Sequence, residues 1–259
     1  MKVGIIGYGW VGKATHKLYP DAQIYDKFMP EYAEPLKDCD IAFLAVPTPW
    51  DGKRLDCDAV EDAISVCDVD LIVIRSATYP GFCDDMSKKY NKRICYQPEY
   101  LGETPNHPML EMKGRQFIVL GGDPADRRKV IECYTRVYNA DVSIRQVTNY
   151  EAELIKITEN RAVFWKVMQC QELYDACEKS GVDYYTIRDA VYGDDPRQNL
   201  WFSFIYPDKR GCDSKCIPKD IYAWCAWAES CGFDSVASKG LLDYNMKLLG
   251  RNNDQYRNV

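Results

Sequence analysis

Three glycines near the start of the chain have the spacing of a dinucleotide-binding turn. Gly7, Gly9 and Gly12 form a G-x-G-x-x-G motif directly after a short apolar run and at the start of a predicted helix. The first glycine permits a tight turn, the second lets a pyrophosphate approach the backbone, and the third lets helix and strand pack closely. The phosphates would lie at the helix N-terminus, where N–H groups and the helix dipole favour anions.

An acid follows at the end of the next predicted strand. Asp26 is placed to bond the ribose hydroxyls of adenosine, which favours NAD over NADP, although Lys27 beside it weakens that preference. We predict that Tyr8, Trp10 and Val11, which lie within the glycine motif, also contact the cofactor. A glycine-rich turn in an unrelated α/β fold is the alternative interpretation.

Four side chains in the second half of the chain have a spacing that suits catalysis. Cys216 lies just before a predicted helix, where the helix dipole favours the thiolate, and Asp220 falls one turn later on the same face. Lys156 and Asn160 lie four residues apart, so they share one face of a long predicted helix. These residues also have plainer interpretations, as a solvated lysine, a surface amide and one more buried thiol.

Two further segments follow predicted strands at their carboxyl ends, where ligands bind in parallel sheets. The first is V-P-T-P, of which Val46, Pro47 and Thr48 are predicted to contact the cofactor. The second is Q-P-E-Y-L-G-E, whose two acids, Glu99 and Glu103, could equally be ordinary loop carboxylates.

The elements that must hold these residues follow from the apolar pattern. Short apolar runs alternate with polar segments mostly of helix length, which predicts a parallel sheet covered on both faces. The predicted strands are residues 2–6, 22–25, 41–46, 71–74, 94–96, 117–120 and, as a seventh, 142–144. The fold class is therefore α/β, with a Rossmann-type NAD-binding domain at residues 1–148.

The pattern changes near Thr148. Apolar residues then recur at helical spacing for about thirty residues, which predicts one long central helix from Asn149, ended by Gly181. Shorter helices are predicted at residues 184–191, 218–231 and 236–249. Residues 149–259 are therefore predicted to form an all-helical domain.

Composition argues against several functional classes. The 259 residues carry a net charge of -6 with a pI near 5.1, which disfavours a nucleic-acid-binding protein. No apolar run approaches the roughly 20 residues of a membrane helix, and the glycine-broken N-terminus is unlike a signal peptide. Twelve cysteines without a C-x-x-C pair, and only two histidines, predict neither disulfides nor a metal site. We expect buried thiols in a cytoplasmic protein.

Taken together, the motifs resemble those of the UDP-glucose/GDP-mannose dehydrogenase family over nearly the whole chain. Besides the glycine motif and V-P-T-P, the family carries K-S-T-x-x-P-G, N-P-E-F-L-x-E, E-x-x-K-x-x-x-N and G-x-G-G-S-C-x-P-K-D. The matching segments here are residues 75–81, 97–103, 153–160 and 211–220, in that order. The resemblance implies a four-electron oxidation of a sugar primary alcohol, as in UDP-glucose, to a carboxylate with NAD.

The resemblance also implies roles for individual residues. Cys216 would capture the aldehyde as a thiohemiacetal, which loses a second hydride to give a thioester that water hydrolyses. Lys156 and Asn160 would stabilise the oxyanion, while Asp220 and Glu103 would assist proton transfer and hydrolysis. Further cofactor contacts implied are Ser76 and Glu103, and the substrate contacts implied are Glu99, Tyr100, Leu101, Lys219 and Arg197.

A homodimer is implied as well. Arg197 matches a family arginine that reaches the substrate of a neighbouring subunit, and the long helix matches the family's dimer core. The expected partners are therefore a small-molecule substrate, which is a nucleotide sugar or a related alcohol, and a second copy of the chain.

The chain departs from the family pattern in three places. It stops at Val259, so we expect it to lack the C-terminal domain that binds the UDP of the substrate. Asp213 and Ser214 replace two glycines of the loop before the thiol, which disfavours close backbone approach to a substrate. Ala77 stands where the family has a threonine that helps to hold the catalytic water, although Thr78 is adjacent.

Two alternatives stay open: a non-catalytic NAD-binding protein derived from the family, and a two-electron hydroxy-acid dehydrogenase.

Overall fold

Five parallel strands form the main sheet of the computed structural model, which describes residues 1–102, 112 and 117–251. In the order β2-β1-β3-β4-β5, they comprise Val3–Ile6 (β1), Gln23–Tyr25 (β2), Ile41–Leu44 (β3), Leu71–Ile74 (β4) and Arg93–Tyr96 (β5). Strand order reverses between β1 and β3, and ligands bind beyond the carboxyl ends of strands at such switch points. The glycine motif follows β1 and V-P-T-P follows β3, so both predicted cofactor segments lie at the switch point.

Helices connect most of these strands. The helices α1 (Trp10–Leu18), α2 (Asp58–Val66) and α3 (Phe82–Tyr90) follow β1, β3 and β4. The link between β2 and β3 instead contains a short 3-10 turn at Pro30–Tyr32. Every residue of β1, β3 and β4 is buried, because helices cover the sheet and the strands are apolar on both faces. This confirms the predicted Rossmann-type sheet.

The last two predicted strands pair with each other instead of extending the main sheet. They are β6 (Phe117–Gly121) and β7 (Ser143–Val147), joined by α4 (Pro124–Tyr134). At the outer edge of β5, the side-chain amide of Asn149 accepts a hydrogen bond from Tyr96 N at 3.0 Å and donates one to Ile94 O at 3.0 Å. Two backbone groups that a sixth strand would use are therefore satisfied by a side chain.

One helix of 32 residues, α5 (Asn149–Ser180), begins the helical part of the chain. Gly181 follows it with a φ of +72°, the left-handed conformation that ends many helices. The helix α6 (Tyr184–Arg188) runs into a π-helical turn at Asp189–Asp194, and α7 (Ile217–Ser230) and α8 (Val236–Leu248) follow. Two apolar clusters include side chains of α5: one around Phe164, Met168, Ile221 and Leu242, the other around Cys170, Tyr184, Tyr192 and Ile205.

The chain separates into two compact units. The N-terminal unit comprises Met1–Pro49 and Leu55–Lys156, and the C-terminal unit comprises Trp50–Arg54 and Ile157–Val259. The short Trp50–Arg54 segment belongs to the second unit, in which the Trp50 ring stacks on Tyr222 with centroids 5.6 Å apart. The units divide inside α5, whereas the sequence places the domain boundary at residue 148, and that boundary stays a prediction.

Among the helices of the described residues, none combines the length and the apolar character needed to cross a membrane.

Candidate functional site

The glycine loop leaves space for a ligand at its second glycine. Gly7 has a φ of +86°, and a Cβ at this position would overlap the carbonyl oxygen of Ala45. A Cβ on Gly12 would overlap the carbonyl oxygen of Gly7, whereas no described atom lies within 4 Å of a Cβ built on Gly9. The turn and the helix packing therefore require the first and third glycines, and the second leaves an open surface beside the backbone.

The start of α1 supplies hydrogen-bond donors to this loop. Gly9 is the N-cap, and the first backbone bond of the helix runs from Lys13 N to Gly9 O at 2.9 Å. Within the described residues, the N–H groups of Trp10, Val11 and Gly12 have no backbone acceptor, and the first turn contains no acid. N–H donors without a backbone acceptor at a positive helix end, next to an open glycine, are suited to bind the pyrophosphate of NAD.

Asp26 is held at the carboxyl end of β2. Its Oδ2 accepts a hydrogen bond from Tyr8 N at 2.7 Å, and its Oδ1 accepts one from Phe28 N at 2.9 Å. These bonds place the carboxylate beside the glycine loop, and each oxygen has further acceptor capacity for a ribose hydroxyl. The neighbouring Lys27 is paired, because its Nζ lies 2.8 Å from Asp62 Oδ2 on α2.

The side chains of the loop lie around this carboxylate. The Tyr8 hydroxyl lies 2.8 Å from His16 Nδ1, and the Tyr8 ring packs edge-on against Tyr32 with centroids 4.8 Å apart. Trp10 is 53% exposed, and Val11 is half-buried. The structure thus uses Tyr8 to anchor the loop through its side chain and to orient Asp26 through its N–H.

The V-P-T-P turn is fixed by a serine at the end of β4. Val46 N donates to Ser76 Oγ at 2.9 Å, and Ser76 Oγ donates to Val46 O at 2.7 Å. Thr48 is buried and Pro47 is exposed. The hydroxyl of Ser76 therefore serves the turn, and the cofactor contacts expected of these four residues stay predictions.

A buried ion pair organises the loop that follows β5. Arg75 Nη2 contacts Glu99 Oε2, and the two side chains are 2% and 6% exposed. Glu99 Oε1 also accepts hydrogen bonds from Tyr100 N at 2.7 Å and from Leu101 N at 2.9 Å. A buried carboxylate needs such partners, because an uncompensated charge away from water is strongly disfavoured. Sequence reasoning missed Arg75, whose only signal is its place as the basic residue at the start of R-S-A-T.

Lys156 lies against the same loop. Its Nζ donates to Glu99 O at 2.6 Å and lies 5.0 Å from the centre of the Tyr100 ring. The residue is only 9% exposed, so it is not an ordinary solvated helix lysine. Glu103, the other acid predicted for this loop, lies outside the described residues.

A second acid that the sequence did not single out lies about one turn before Lys156. Glu153 is fully buried, and its carboxylate accepts hydrogen bonds from Thr78 Oγ1 at 2.9 Å, Gly81 N at 2.6 Å and Cys83 N at 2.9 Å. Burial raises the pKa of Glu153 to about 7, and the hydrogen bonds it accepts oppose that shift. The Thr78 hydroxyl therefore donates to Glu153. Thr78 lies one residue after Ala77, which stands where the family motif has a threonine.

In the C-terminal unit, a buried carboxylate follows the candidate thiol by one helical turn. Cys216 is exposed and is the N-cap residue of α7. Asp220 is fully buried; its Oδ2 accepts a hydrogen bond from Asn160 Nδ2 at 2.5 Å, and its Oδ1 accepts one from Lys219 Nζ at 2.7 Å. The structure thus brings Asn160, Lys219 and Asp220 into one cluster at the start of the helix that Cys216 caps.

Hydrogen bonds and an ion pair join the loop before Cys216 to α8 and to the residues just after it. Asn245 Oδ1 accepts from Cys212 N at 2.7 Å, and Asn245 Nδ2 donates to Cys212 O at 3.0 Å. Arg251 forms a two-pronged ion pair with Asp213, at 2.7 and 2.9 Å. Asp213 stands where the G-x-G-G-S-C-x-P-K-D motif has a glycine. At this position an anchored side chain therefore replaces a flexible residue.

Arg197 lies on the surface of the C-terminal unit. Its side chain is 85% exposed, and its Nε and Nη2 bind the carboxylate of Asp195 at 2.9 and 2.7 Å. Among the described residues it pairs with Asp195 and not with the Asn160–Lys219–Asp220 cluster, so its expected contact with substrate stays a prediction.

Comparison with known proteins identifies two domains of one family in the chain. Residues 22–141 match the NAD binding domain of the UDP-glucose/GDP-mannose dehydrogenase family, and residues 150–247 match the central domain of the same family. The match to an NAD binding domain confirms the prediction of NAD as the cofactor.

Individual relatives agree with this match. The UDP-glucose 6-dehydrogenase of Rickettsia typhi is 26% identical over 233 residues, which cover 85% of this chain and 52% of that protein. An uncharacterised protein of Methanocaldococcus jannaschii is 33% identical over 213 residues, which cover 71% of this chain and 24% of that protein. The chain spans about half the length of the curated UDP-glucose 6-dehydrogenases that it matches.

Among solved structures, a UDP-glucose dehydrogenase from Pyrobaculum islandicum superposes with a TM-score of 0.78 at 22% identity. The superposition covers 95% of this chain and 68% of that one. At this identity the likeness establishes the fold.

Proposed function

Because the chain belongs to the UDP-glucose/GDP-mannose dehydrogenase family, we propose that it oxidises the primary alcohol of a nucleotide sugar to the carboxylate with NAD. The observation that supports this most strongly is the start of α7, where an exposed Cys216 is followed after one turn by the buried Asp220. Bound NAD supplies the hydride acceptor, with one NAD consumed in each of the two oxidations.

The thiol of Cys216 carries the covalent step of this reaction. Its sulfur adds to the carbonyl carbon of the aldehyde formed in the first oxidation, giving a thiohemiacetal. That carbon then loses a hydride to give a thioester, and water displaces the sulfur to release the carboxylate and regenerate the thiol. Overall, one alcohol, one water and two NAD give one carboxylate, two NADH and three protons. The N-cap position favours the thiolate, which is the nucleophilic form.

Polar side chains take supporting roles in this proposal. Hydrogen bonds from Asn160 and Lys219 hold the Asp220 carboxylate one turn from the thiol, where it can accept a proton from the attacking water. Lys156 is a buried ammonium held against a backbone carbonyl, which suits the stabilisation of a developing oxyanion.

The proposal is tested by counting products. The purified chain, given NAD and either UDP-glucose or GDP-mannose, should form two NADH for each carboxylate. Cys216→Ala should abolish acid formation and leave NAD binding unchanged. Cys231→Ala is the matched control, because it removes an exposed thiol from the other end of the same helix. One NADH per substrate would point to a two-electron dehydrogenase, and no NADH from any nucleotide sugar would overturn the proposal.

A non-catalytic NAD-binding protein is the second candidate. The observation in its favour is the loop before the thiol, which Asn245 and Arg251 hold at both Cys212 and Asp213. A rigid loop of this kind adapts poorly to a substrate. This candidate predicts tight NAD binding without turnover and no effect of Cys216→Ala on any measured property except thiol content.

We also propose that the chain acts as a cytoplasmic homodimer in which Arg197 reaches the substrate of the partner copy. The exposure of the Arg197 side chain, which leaves it accessible to a second copy of the chain, supports the dimer. Mixing Cys216→Ala and Arg197→Ala proteins should restore activity through mixed dimers that contain one intact site. No recovery on mixing would assign Arg197 to its own subunit or to no site.

A further inference from the structure

An arginine of the C-terminal unit lies between two tryptophan rings. The guanidinium carbon of Arg161, on α5, is 4.4 Å from the ring centre of Trp165 and 4.1 Å from that of Trp224. Its Nε donates to Ser238 Oγ at 2.9 Å. Two indole faces and one hydrogen bond therefore hold the plane of the guanidinium, while no carboxylate in the described part of the chain pairs with it.

Two other stacked arginines in the same unit show what is missing. Arg188 binds Asp189, and Arg210 binds Asp175 at 2.7 Å, although each also lies over at least one aromatic ring. In both cases the stacked cation is neutralised by a neighbouring acid. Arg161 has the same aromatic support without the acid, and burial lowers the pKa of its guanidinium. The described residues thus hold this charge in place without compensating it.

The surroundings of Arg161 add positive charge. Ser238, its hydrogen-bond partner, lies in the first turn of α8, which is the positive end of that helix. That turn contains no acid, and the side chain of the N-cap makes no capping bond with the described residues. Two acids near this end, Asp234 and Glu229, both pair with Lys239. A cation beside a positive helix end is unfavourable unless an anion joins it.

The position of Arg161 relates it to the cluster around the candidate thiol. It follows Asn160, which binds Asp220, and it stacks on Trp224, which lies one turn after Asp220 on α7. Adjacent residues of α5 thus contact successive turns of α7, about 5.4 Å apart along the axis.

As an extension that rests on the proposed function, we propose that Arg161 binds the diphosphate of the nucleotide-sugar substrate. A guanidinium presents paired N–H donors in a fixed fork that matches two phosphate oxygens, and the tryptophan stack orients that fork in advance. The C-terminal unit would then hold the anionic end of the substrate while the cluster at the start of α7 receives its sugar.

The test measures binding separately from turnover. The full chain is titrated with UDP-glucose, inorganic pyrophosphate and uridine, and binding is measured by calorimetry and tryptophan fluorescence. UDP-glucose and pyrophosphate should bind, and uridine should not. Arg161→Met should weaken the binding of UDP-glucose and pyrophosphate by about 10- to 100-fold, the effect of losing a charge-assisted pair of hydrogen bonds. Arg161→Lys should weaken it less, because the charge remains and the fork is lost.

Arg210→Met is the matched control, since it removes a stacked arginine that already has an acid partner, and it should leave both affinities unchanged. Thermal unfolding checks each variant, and Arg161→Lys decides the question if the methionine variant does not fold. Equal affinity in the Arg161 variants, or no binding of either phosphate compound by the original chain, would overturn the assignment, whatever the activity. Arg161-dependent binding without NADH formation would instead support the anion site and reject the proposed oxidation.

Discussion

The two units of the molecule build their candidate sites from different materials. In the N-terminal unit, the predicted cofactor surface is backbone: two glycines that admit no Cβ, one that leaves open space, and the first N–H groups of α1. In the C-terminal unit, the candidate site is made of side chains that depend on one another, above all Asn160, Lys219 and Asp220. A backbone site is specified by a short stretch of sequence, whereas a side-chain site depends on pairs that are distant in the chain.

The strongest way to break this comparison is to add one carbon to the backbone site. Gly12→Ala places a Cβ against the carbonyl oxygen of Gly7, and backbone cannot move aside cheaply. We expect a loss of about 4 kcal/mol or more in the free energy of unfolding, measured by urea denaturation. Gly9→Ala has open space around its Cβ, so it should fold with nearly normal stability and bind NAD at least about 10-fold more weakly. Equal stability losses in the two variants would show that the loop is not built as described.

A second prediction uses Glu153, the buried acid of the N-terminal unit, whose hydrogen-bond donors among the described residues are neutral. The folded chain raises the pKa of Glu153 from 4.5 to about 7, so between these values the folded state binds more protons than the unfolded state. This contribution to stability is complete below about pH 4.5 and is lost as the pH rises through about 7. Over this pH window the free energy of unfolding should fall by roughly 3 kcal/mol.

Denaturation of the original chain and of Glu153→Gln at pH 5 and pH 8 measures the effect. The decline in stability with pH should be smaller in Glu153→Gln by that amount. Glu151→Gln is the control on the same helix: its carboxyl has a pKa lowered by hydrogen bonds from Thr148, so its removal should leave the decline in place. An identical pH profile for Glu153→Gln and the original chain would count against the buried carboxylate.

A third prediction concerns the acid of the C-terminal unit, which has a cation partner. Asp220→Asn keeps an acceptor for the Asn160 amide but leaves Lys219 without its carboxylate. We expect a loss of about 2 kcal/mol in the free energy of unfolding, below the range for a fully buried pair because Lys219 is partly exposed. Asp213→Asn breaks a more exposed ion pair with Arg251 and should cost less than about 1 kcal/mol. If both variants lost the same stability, the cluster would contribute no more than a surface pair.

The same contrast explains how much could be predicted from the sequence. Strands and helices follow from local patterns, as the run I-A-F-L for β3 and the helical spacing that ends at Gly181 show. The burial of Glu153, the pairing of Arg75 with Glu99 and the capping of β5 by Asn149 each join segments far apart in the chain. None of these contacts can be predicted from neighbouring residues, because the sequence does not distinguish a buried acid with a partner from an acid exposed to water.

The smallest predicted effect concerns cofactor choice, where a side-chain pair modifies the backbone site. Lys27 lies next to Asp26 and would favour the extra phosphate of NADP, but its Nζ is held by Asp62 on α2. Asp62→Asn should therefore improve NADP binding by about two- to five-fold, the range expected when an exposed pair is released, and leave NAD binding unchanged. Titration with both cofactors measures the ratio of the two affinities, and Glu61→Gln controls for loss of an acid at the neighbouring position. A ratio that does not move would mean that Asp26 alone, through its fixed place beside Tyr8 N, excludes the phosphate.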